Sequence, residues 1–126
     1  SGLSVDKLNG RPGVYSARYS SEQTDEKNIA KVLTELAGER SKAKFVSVIA
    51  MVTPEGDEFT FRGECEGEII FEKRGTNGFG YDPIFYVPEL NKTFAEISSD
   101  EKNAVSHRKK SLEKFAKFLK EQNNEN

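Results

Sequence analysis

Cysteine is almost absent from this sequence, and so are long apolar runs. The only cysteine among the 126 residues is Cys65, which excludes an internal disulfide and a multi-cysteine zinc site. No stretch approaches the roughly 20 consecutive apolar residues that a membrane-spanning helix needs, and no signal peptide is recognisable. We therefore predict a cytoplasmic protein without a membrane partner, in which Cys65 is a small buried side chain of a strand.

An excess of charge of one sign is also lacking. The 19 basic and 21 acidic residues leave a net charge of −2, which gives no general argument for nucleic acid as a partner. The exception is the segment 102–120, where seven basic residues accompany a single acidic one. Most of this segment is expected to be a solvated helix face, although residues at the start of a helix could meet an anionic small molecule.

Periodic apolar runs predict one domain, residues 1–126, of the mixed α/β class, with a largely antiparallel sheet and flanking helices. Residues 1–23 are rich in glycine, serine and arginine and predict a loop with one short helical turn. Four later segments have the apolar run or the alternation that is typical of strands: 45–52, 58–62, 66–73 and 84–87. The first of these is almost wholly apolar, so we expect it to be buried on both faces.

Helical spacing and capping residues predict three helices. The first covers 24–36, where Thr24 can cap the first turn. A short helix follows Ser98, which has a glutamate three residues later as in a capping box. A longer helix follows Ser106, and its core stripe is predicted to comprise Leu112, Phe115, Ala116 and Leu119.

The segment 75–83 cannot form regular structure, because three of its first six residues are glycine. Phe79 stands between two of these glycines, so its ring fits no strand pattern and could stack on a base, a contact worth about 1–3 kcal/mol. Asp82 precedes Pro83, which favours an extended backbone and fixes the direction of the carboxylate. A tight connection with Phe79 tucked into the core agrees equally well with this pattern.

The only histidine, His107, is predicted in the first turn of the last helix, where outward-facing N–H groups favour anions. Arg108 and Lys102 add two more donors nearby. A lone histidine is more often structural or incidental, so these three residues do not define a site by themselves.

Three motifs, taken together and in order, closely resemble the inosine triphosphate pyrophosphatase family. They are Pro-Gly-Val-Tyr-Ser-Ala-Arg-Tyr at 12–19, Asn-Gly-Phe-Gly-Tyr-Asp-Pro-Ile-Phe at 77–85 and Glu-Lys-Asn-Ala-Val-Ser-His-Arg at 101–108. The resemblance covers nearly the whole chain, up to about residue 119. It implies an elongated mixed α/β fold, a homodimer and Mg²⁺-dependent hydrolysis of noncanonical purine nucleoside triphosphates (ITP, dITP and XTP). Water attacks the α-phosphorus and releases pyrophosphate and a monophosphate, which keeps these purines out of nucleic acid.

The resemblance also implies a set of substrate-binding residues. Phe79 would stack on the purine, and Gly80, Tyr81 and Asp82 would complete the wall. Contacts to the base edge and nearby groups would come from Lys102, His107 and Arg108, and Ser1 would touch the substrate. A donor such as Arg108 rewards a 6-oxo acceptor and leaves the 6-amino group of adenine unpaired, a difference that can discriminate by on the order of 10⁴ or more. Guanine shares the 6-oxo group, so its rejection has to come from its 2-amino group.

The catalytic apparatus of that family is missing from this sequence. Its members carry a Ser/Thr-x-Asn-x-x-Lys loop for the triphosphate, a glutamate for magnesium, and an Asp-Asp pair before a Ser-Gly-Leu like the one that opens this chain. We therefore expect the Mg²⁺ ligands upstream of Ser1, no catalytic or metal-binding residue within 1–126, and negligible ITP hydrolysis by this segment alone. The alternative is a noncatalytic purine nucleotide-binding module that keeps only the base pocket.

Overall fold

The computed structural model describes residues 2–124 as a five-stranded antiparallel sheet with three α-helices. The strands follow chain order across the sheet: β1 (Gly2–Val5), β2 (Ser41–Val52), β3 (Glu58–Ile69), β4 (Phe85–Val87) and β5 (Lys92–Thr93). The helices are α1 (Asp25–Leu36), α2 (Ser99–Val105) and α3 (His107–Asn124). Short 3₁₀ turns occupy Asp6–Leu8, Gly13–Arg18, Asp82–Ile84 and Phe94–Glu96. The predicted mixed α/β class, with an antiparallel sheet and flanking helices, is confirmed.

The β2–β3 hairpin is covered on one face only. Its register runs from Ser41 opposite Ile69 to Val52 opposite Glu58, and side chains alternate between the two faces along each strand. The predicted burial of 45–52 on both faces is wrong, because Val48 and Val52 are 48% and 64% exposed. An apolar run does not by itself reveal that only one side of a sheet is covered.

The predicted strand 58–62 and the first part of the predicted strand 66–73 belong to one continuous strand in the structure, whereas residues 70–73 lie outside it. β3 runs without a break from Glu58 to Ile69, and Gly63 continues the ladder opposite Ser47. A side chain at this position would collide with α3, since a Cβ atom on Gly63 would lie 2.1 Å from the carbonyl oxygen of His107. The residues that interrupt the apolar alternation therefore mark a helix contact, and the strand continues through them.

The prediction of a loop over 1–23 is wrong at its start. Gly2–Val5 pairs with β2, and Leu3 and Val5 are fully buried in the core. Gly2 lies against the next 3₁₀ turn, where a Cβ atom would come within 2.4 Å of the Gly13 carbonyl oxygen. With two apolar residues in four, this strand is too short to give a periodic signal.

The helix starts follow the predicted caps, but the stripe of α3 follows the prediction only at Phe115, whose ring packs against Phe61 at 5.3 Å. The Thr24 side chain accepts the Lys27 N–H at 3.2 Å, and the Ser98 capping box is formed in full. In α3, Leu112 and Leu119 are 57% and 41% exposed, while the buried Ser111 contacts β2 through the Ser47 hydroxyl at 3.1 Å. The inward face begins with a polar residue, so a count of apolar side chains places the stripe one residue too late.

Among the described residues, a buried hydrophobic core joins the sheet to α1. Its aromatic centre is the trio Phe45, Phe85 and Phe94, whose ring centroids lie 4.4 to 5.4 Å apart. Cys65 lies in this core, as predicted, and burial raises the pKa of its thiol to about 11. None of the helices among residues 2–124 has the length and apolar character needed to span a membrane.

Candidate functional site

A cavity of about 700 Å³ opens where the segment 75–83, here named the glycine-rich loop, meets the starts of α1 and α3. Seven of the predicted substrate-binding residues line it: Phe79, Gly80, Tyr81, Asp82, Lys102, His107 and Arg108. Ser1, the eighth, lies outside the described residues. Segments that are far apart in sequence therefore meet at one concave place, of the size that small-molecule sites usually have.

The path of the glycine-rich loop depends on residues without a side chain. Gly78 has φ +77°, and a Cβ atom there would lie 2.1 Å from an oxygen of Asp82. The loop is tied to the body of the protein at Asn77, whose backbone N–H donates to Ala95 and whose side-chain amide donates to the Ile97 carbonyl oxygen. A fixed turn, with its tip directed towards the cavity, is the result.

Phe79 is exposed at the tip of this loop, and the alternative of a ring tucked into the core is wrong. Its side chain is 61% exposed and lines the cavity. The backbone on either side is held by carboxylates. Asp82 accepts the Phe79 N–H at 3.0 Å, and Asp25 accepts the Gly80 N–H at 2.9 Å. A large apolar ring is thus displayed to solvent on an anchored backbone.

Two cationic side chains lie over the Phe79 ring. Lys102 places its Nζ atom 4.9 Å from the ring centroid, and the guanidinium carbon of Arg108 lies 5.5 Å from it. Both separations are within the range of favourable cation–π contact. The ring and the two donors therefore form one unit at the cavity wall.

The start of α3 places His107 in a mostly apolar setting. Its ring is stacked on Phe45 with centroids 5.1 Å apart, its residue is 8% exposed, and Nδ1 has no hydrogen-bond partner. Burial, with smaller contributions from Arg108 and Lys102, lowers the pKa of His107 to about 4. The imidazole is therefore neutral at pH 7, with one ring nitrogen as a donor and the other as an acceptor.

Sequence reasoning missed the residues that connect the loop to α1. Tyr81 is buried and donates its hydroxyl to the Ser16 carbonyl oxygen at 2.6 Å. Asn28 also donates to that oxygen, and it accepts from the backbone and hydroxyl of Ser20 at 2.8 Å each. The one available signal was a buried polar residue, Asn28, on the apolar face of α1. Asp25 gives no such signal, because an acidic residue in the first turn of a helix is explained by the helix dipole alone.

The carboxylates of the cavity wall already have partners. Asp82 is paired with Lys102, and Asp25 accepts the Gly80 amide. Within residues 2–124 there is no group of three or more His, Cys, Asp or Glu residues that could hold a metal ion. These residues do not fit a Mg²⁺ site, so the chemistry they offer is apolar stacking with hydrogen-bond donation.

Comparisons with known proteins identify relatives of this chain. The model of the Ham1 family matches residues 1–118. A dITP/XTP pyrophosphatase of Desulfotalea psychrophila is 58% identical over 114 residues, which are 89% of this chain and 51% of that protein. A dITP/XTP pyrophosphatase of Bacillus anthracis is 54% identical over an alignment of 127 residues, covering 96% of this chain and 63% of that protein.

Two solved structures have the same fold. The Staphylococcus aureus Ham1 protein superposes with a TM-score of 0.90 at 47% identity, over 96% of this chain and 64% of that chain. A Coxiella burnetii HAM1 protein gives a TM-score of 0.86 at 46% identity, over 95% of this chain and 64% of that chain. The chain spans between about half and two thirds of the length of the relatives it matches.

Proposed function

The chain belongs to the Ham1 family, and from that premise we propose that it recognises the base of noncanonical purine nucleotides. The reaction served is the hydrolysis of ITP, dITP and XTP to a monophosphate and pyrophosphate, which prevents incorporation of these purines into nucleic acid. The observation that carries the proposal is Phe79, an exposed ring on an anchored backbone beneath two cationic donors. The names of the relatives support the choice of substrate.

Phe79 supplies a flat apolar face on which the purine stacks, with Gly80, Tyr81 and Asp82 as the wall of the pocket. Stacking of a base on an aromatic side chain contributes about 1–3 kcal/mol and is tolerant of base identity. The stacking contact therefore supplies affinity, and specificity has to come from polar groups at the base edge.

Lys102, His107 and Arg108 are these polar groups. A lysine or arginine donates and never accepts, so either side chain is satisfied by the 6-oxo oxygen of hypoxanthine or xanthine and not by the 6-amino group of adenine. His107 is neutral, so it offers one donor and one acceptor without adding a further positive charge. The loss of a hydrogen-bond partner inside such a site lowers kcat/KM for the mismatched substrate by a factor on the order of 10⁴.

The described residues do not fit Mg²⁺. Bound elsewhere in a whole enzyme, Mg²⁺ would supply neutralisation of the triphosphate charge, which is the usual requirement of phosphoryl chemistry. We propose that this single unit supplies base recognition within a cytoplasmic homodimer.

A chimeric enzyme tests the function. The region of the Bacillus anthracis relative that this chain matches is replaced by this chain, and release of pyrophosphate from ITP, XTP, ATP and GTP is measured with Mg²⁺. We expect kcat/KM for ITP and XTP to exceed that for ATP and GTP by several orders of magnitude. Equal turnover of the four substrates would contradict the proposal. Binding of IMP without hydrolysis would instead favour a noncatalytic nucleotide-binding module.

A further inference from the structure

The tip of the glycine-rich loop is joined to α1 through one hydrogen bond. Oδ2 of Asp25, in the first turn of the helix, accepts the N–H of Gly80 at 2.9 Å across 55 residues of sequence. We infer that Asp25 is a positioning residue, which fixes the peptide after Phe79 so that the ring is presented to the purine. This inference rests on the proposed function of the cavity.

The loop needs such an anchor because of its composition. Gly78 and Gly80 flank Phe79 with φ values of +77° and +61°, and glycine loses more conformational freedom on ordering than any other residue. The bond from the Phe79 N–H to Asp82 fixes the peptide before the ring, and the bond to Asp25 fixes the peptide after it. With both bonds formed, the entropy of ordering the ring is lost on folding and not on binding, which favours affinity.

The charge of Asp25 argues for positioning and against contact with the substrate. A carboxylate in the wall of a pocket for a nucleoside phosphate repels the ligand unless its charge is compensated. Asp25 is compensated by the Gly80 amide and by the positive end of α1, whose first turn also contains Glu26. Oδ2 of Asp25 thus accepts from the backbone of the loop. Removal of the carboxylate is therefore expected to change the order of the loop backbone.

Glu26 is the matched control for the simpler view that Asp25 only stabilises the start of α1. Both acidic residues belong to the first turn, so both act on the helix dipole to a similar extent. Among the described residues, only Asp25 of the two forms a hydrogen bond with the glycine-rich loop. A difference between the two alanine variants therefore isolates the contact with Gly80.

The test uses the 126-residue chain with IMP as the probe. Asp25→Ala, Asp25→Asn and Glu26→Ala are compared by calorimetric titration, and hydrogen exchange of the Gly80 amide is followed by NMR. In Asp25→Ala we expect faster exchange at Gly80 and an IMP dissociation constant raised about five- to tenfold, as for the loss of one hydrogen bond of typical net strength. Asp25→Asn keeps an acceptor oxygen and restores most of the affinity. Glu26→Ala leaves both measurements unchanged.

The inference is overturned if Asp25→Ala binds IMP like the wild type, or if Glu26→Ala weakens binding equally. It is also overturned if affinity falls in Asp25→Ala while the Gly80 amide stays protected, since Asp25 would then touch the ligand itself. If the wild-type chain bound no IMP, the proposed function would fail. Unchanged exchange at Gly80 in Asp25→Ala would then separately disprove the anchoring of the loop.

Discussion

Asp82 and Lys102 form an ion pair in the wall of the cavity, with Oδ2 of the carboxylate 2.7 Å from Nζ of the ammonium group. The same carboxylate oxygen accepts the backbone N–H of Phe79. One buried atom therefore links the glycine-rich loop to α2 and holds the lysine beside the aromatic ring. The Asp82 side chain therefore holds in place the two parts of the site that we propose to stack on the base and to donate to it.

Replacing Lys102 by methionine should destabilise the protein by about 3 kcal/mol, because the almost fully buried Asp82 carboxylate loses its cation. The free energy of unfolding from urea titration measures the effect. Lys109→Met is the control, since Lys109 pairs with Glu113 at 3.9 Å on the exposed surface of α3, where such pairs contribute at most about 1 kcal/mol. Equal losses in the two variants would show that the buried pair has no special role.

Replacing Phe79 by alanine should weaken IMP binding while leaving stability within about 0.5 kcal/mol, because the ring is exposed. The loss of stacking corresponds to about 1–3 kcal/mol, or roughly a 5- to 150-fold rise in the dissociation constant. Phe71→Ala provides the comparison, since Phe71 is also partly exposed but does not line the cavity. An unchanged IMP affinity in Phe79→Ala would remove the stacking role.

Most of the architecture could be predicted from local signals in the sequence, and the misses share a cause. The helix caps at Thr24 and Ser98 are hydrogen bonds between residues close in sequence, so the local residue types predict them. The exposure of Val48 and the inward position of Ser111 depend instead on which face of the sheet meets α3. The face that α3 covers is determined by contacts between distant parts of the chain, so it cannot be predicted from a short stretch of sequence.

The candidate site follows the same division. Phe79 and Arg108 can be picked out from the local sequence, because Phe79 lies between two glycines and Arg108 lies at the start of a predicted helix. That both residues line one cavity could be expected only from the family resemblance. Asp25 could not be predicted as part of the site, because the helix dipole alone explains an acidic residue in the first turn of a helix. Its bond to Gly80 arises only when residues 55 positions apart come together.

Replacing Gly63 by alanine should displace the start of α3 and lower both stability and nucleotide affinity. The new Cβ atom would lie 2.1 Å from the His107 carbonyl oxygen and 2.5 Å from the Ser111 nitrogen. Both are backbone atoms that cannot rotate away, so a loss of about 1–3 kcal/mol is expected. Urea titration and IMP titration measure the two effects.

Gly67→Ala is the control for Gly63→Ala on the same strand. Its Cβ atom would meet the Tyr86 carbonyl oxygen and the Phe85 ring, and neither residue lines the cavity. It should therefore cost stability to a similar degree and leave the affinity of the folded protein for IMP near that of the wild type. Parallel losses of affinity in both variants would mean that strain in β3 acts on the site only through general destabilisation.

His107 should make the stability of the protein depend on pH in a defined window. Its pKa is about 4 in the folded state, lowered mainly by burial, against 6.5 for an unperturbed histidine. Between these values the unfolded chain binds more protons than the folded one. The free energy of unfolding therefore falls as the pH drops from about 6.5 towards 4, by at most about 1.4 kcal/mol per pH unit from this group.

His107→Gln isolates this contribution, because glutamine keeps a hydrogen-bonding side chain of comparable length but does not titrate. Urea titrations at pH 7 and pH 5 give the difference in unfolding free energy for each protein. Carboxylates such as Glu96 and Glu101, whose pKa values are lowered by hydrogen bonds to backbone N–H groups, titrate in both proteins and cancel in the comparison. The wild type should lose more stability than the variant on acidification. Equal losses would mean that His107 is protonated in the folded protein as readily as in the unfolded chain.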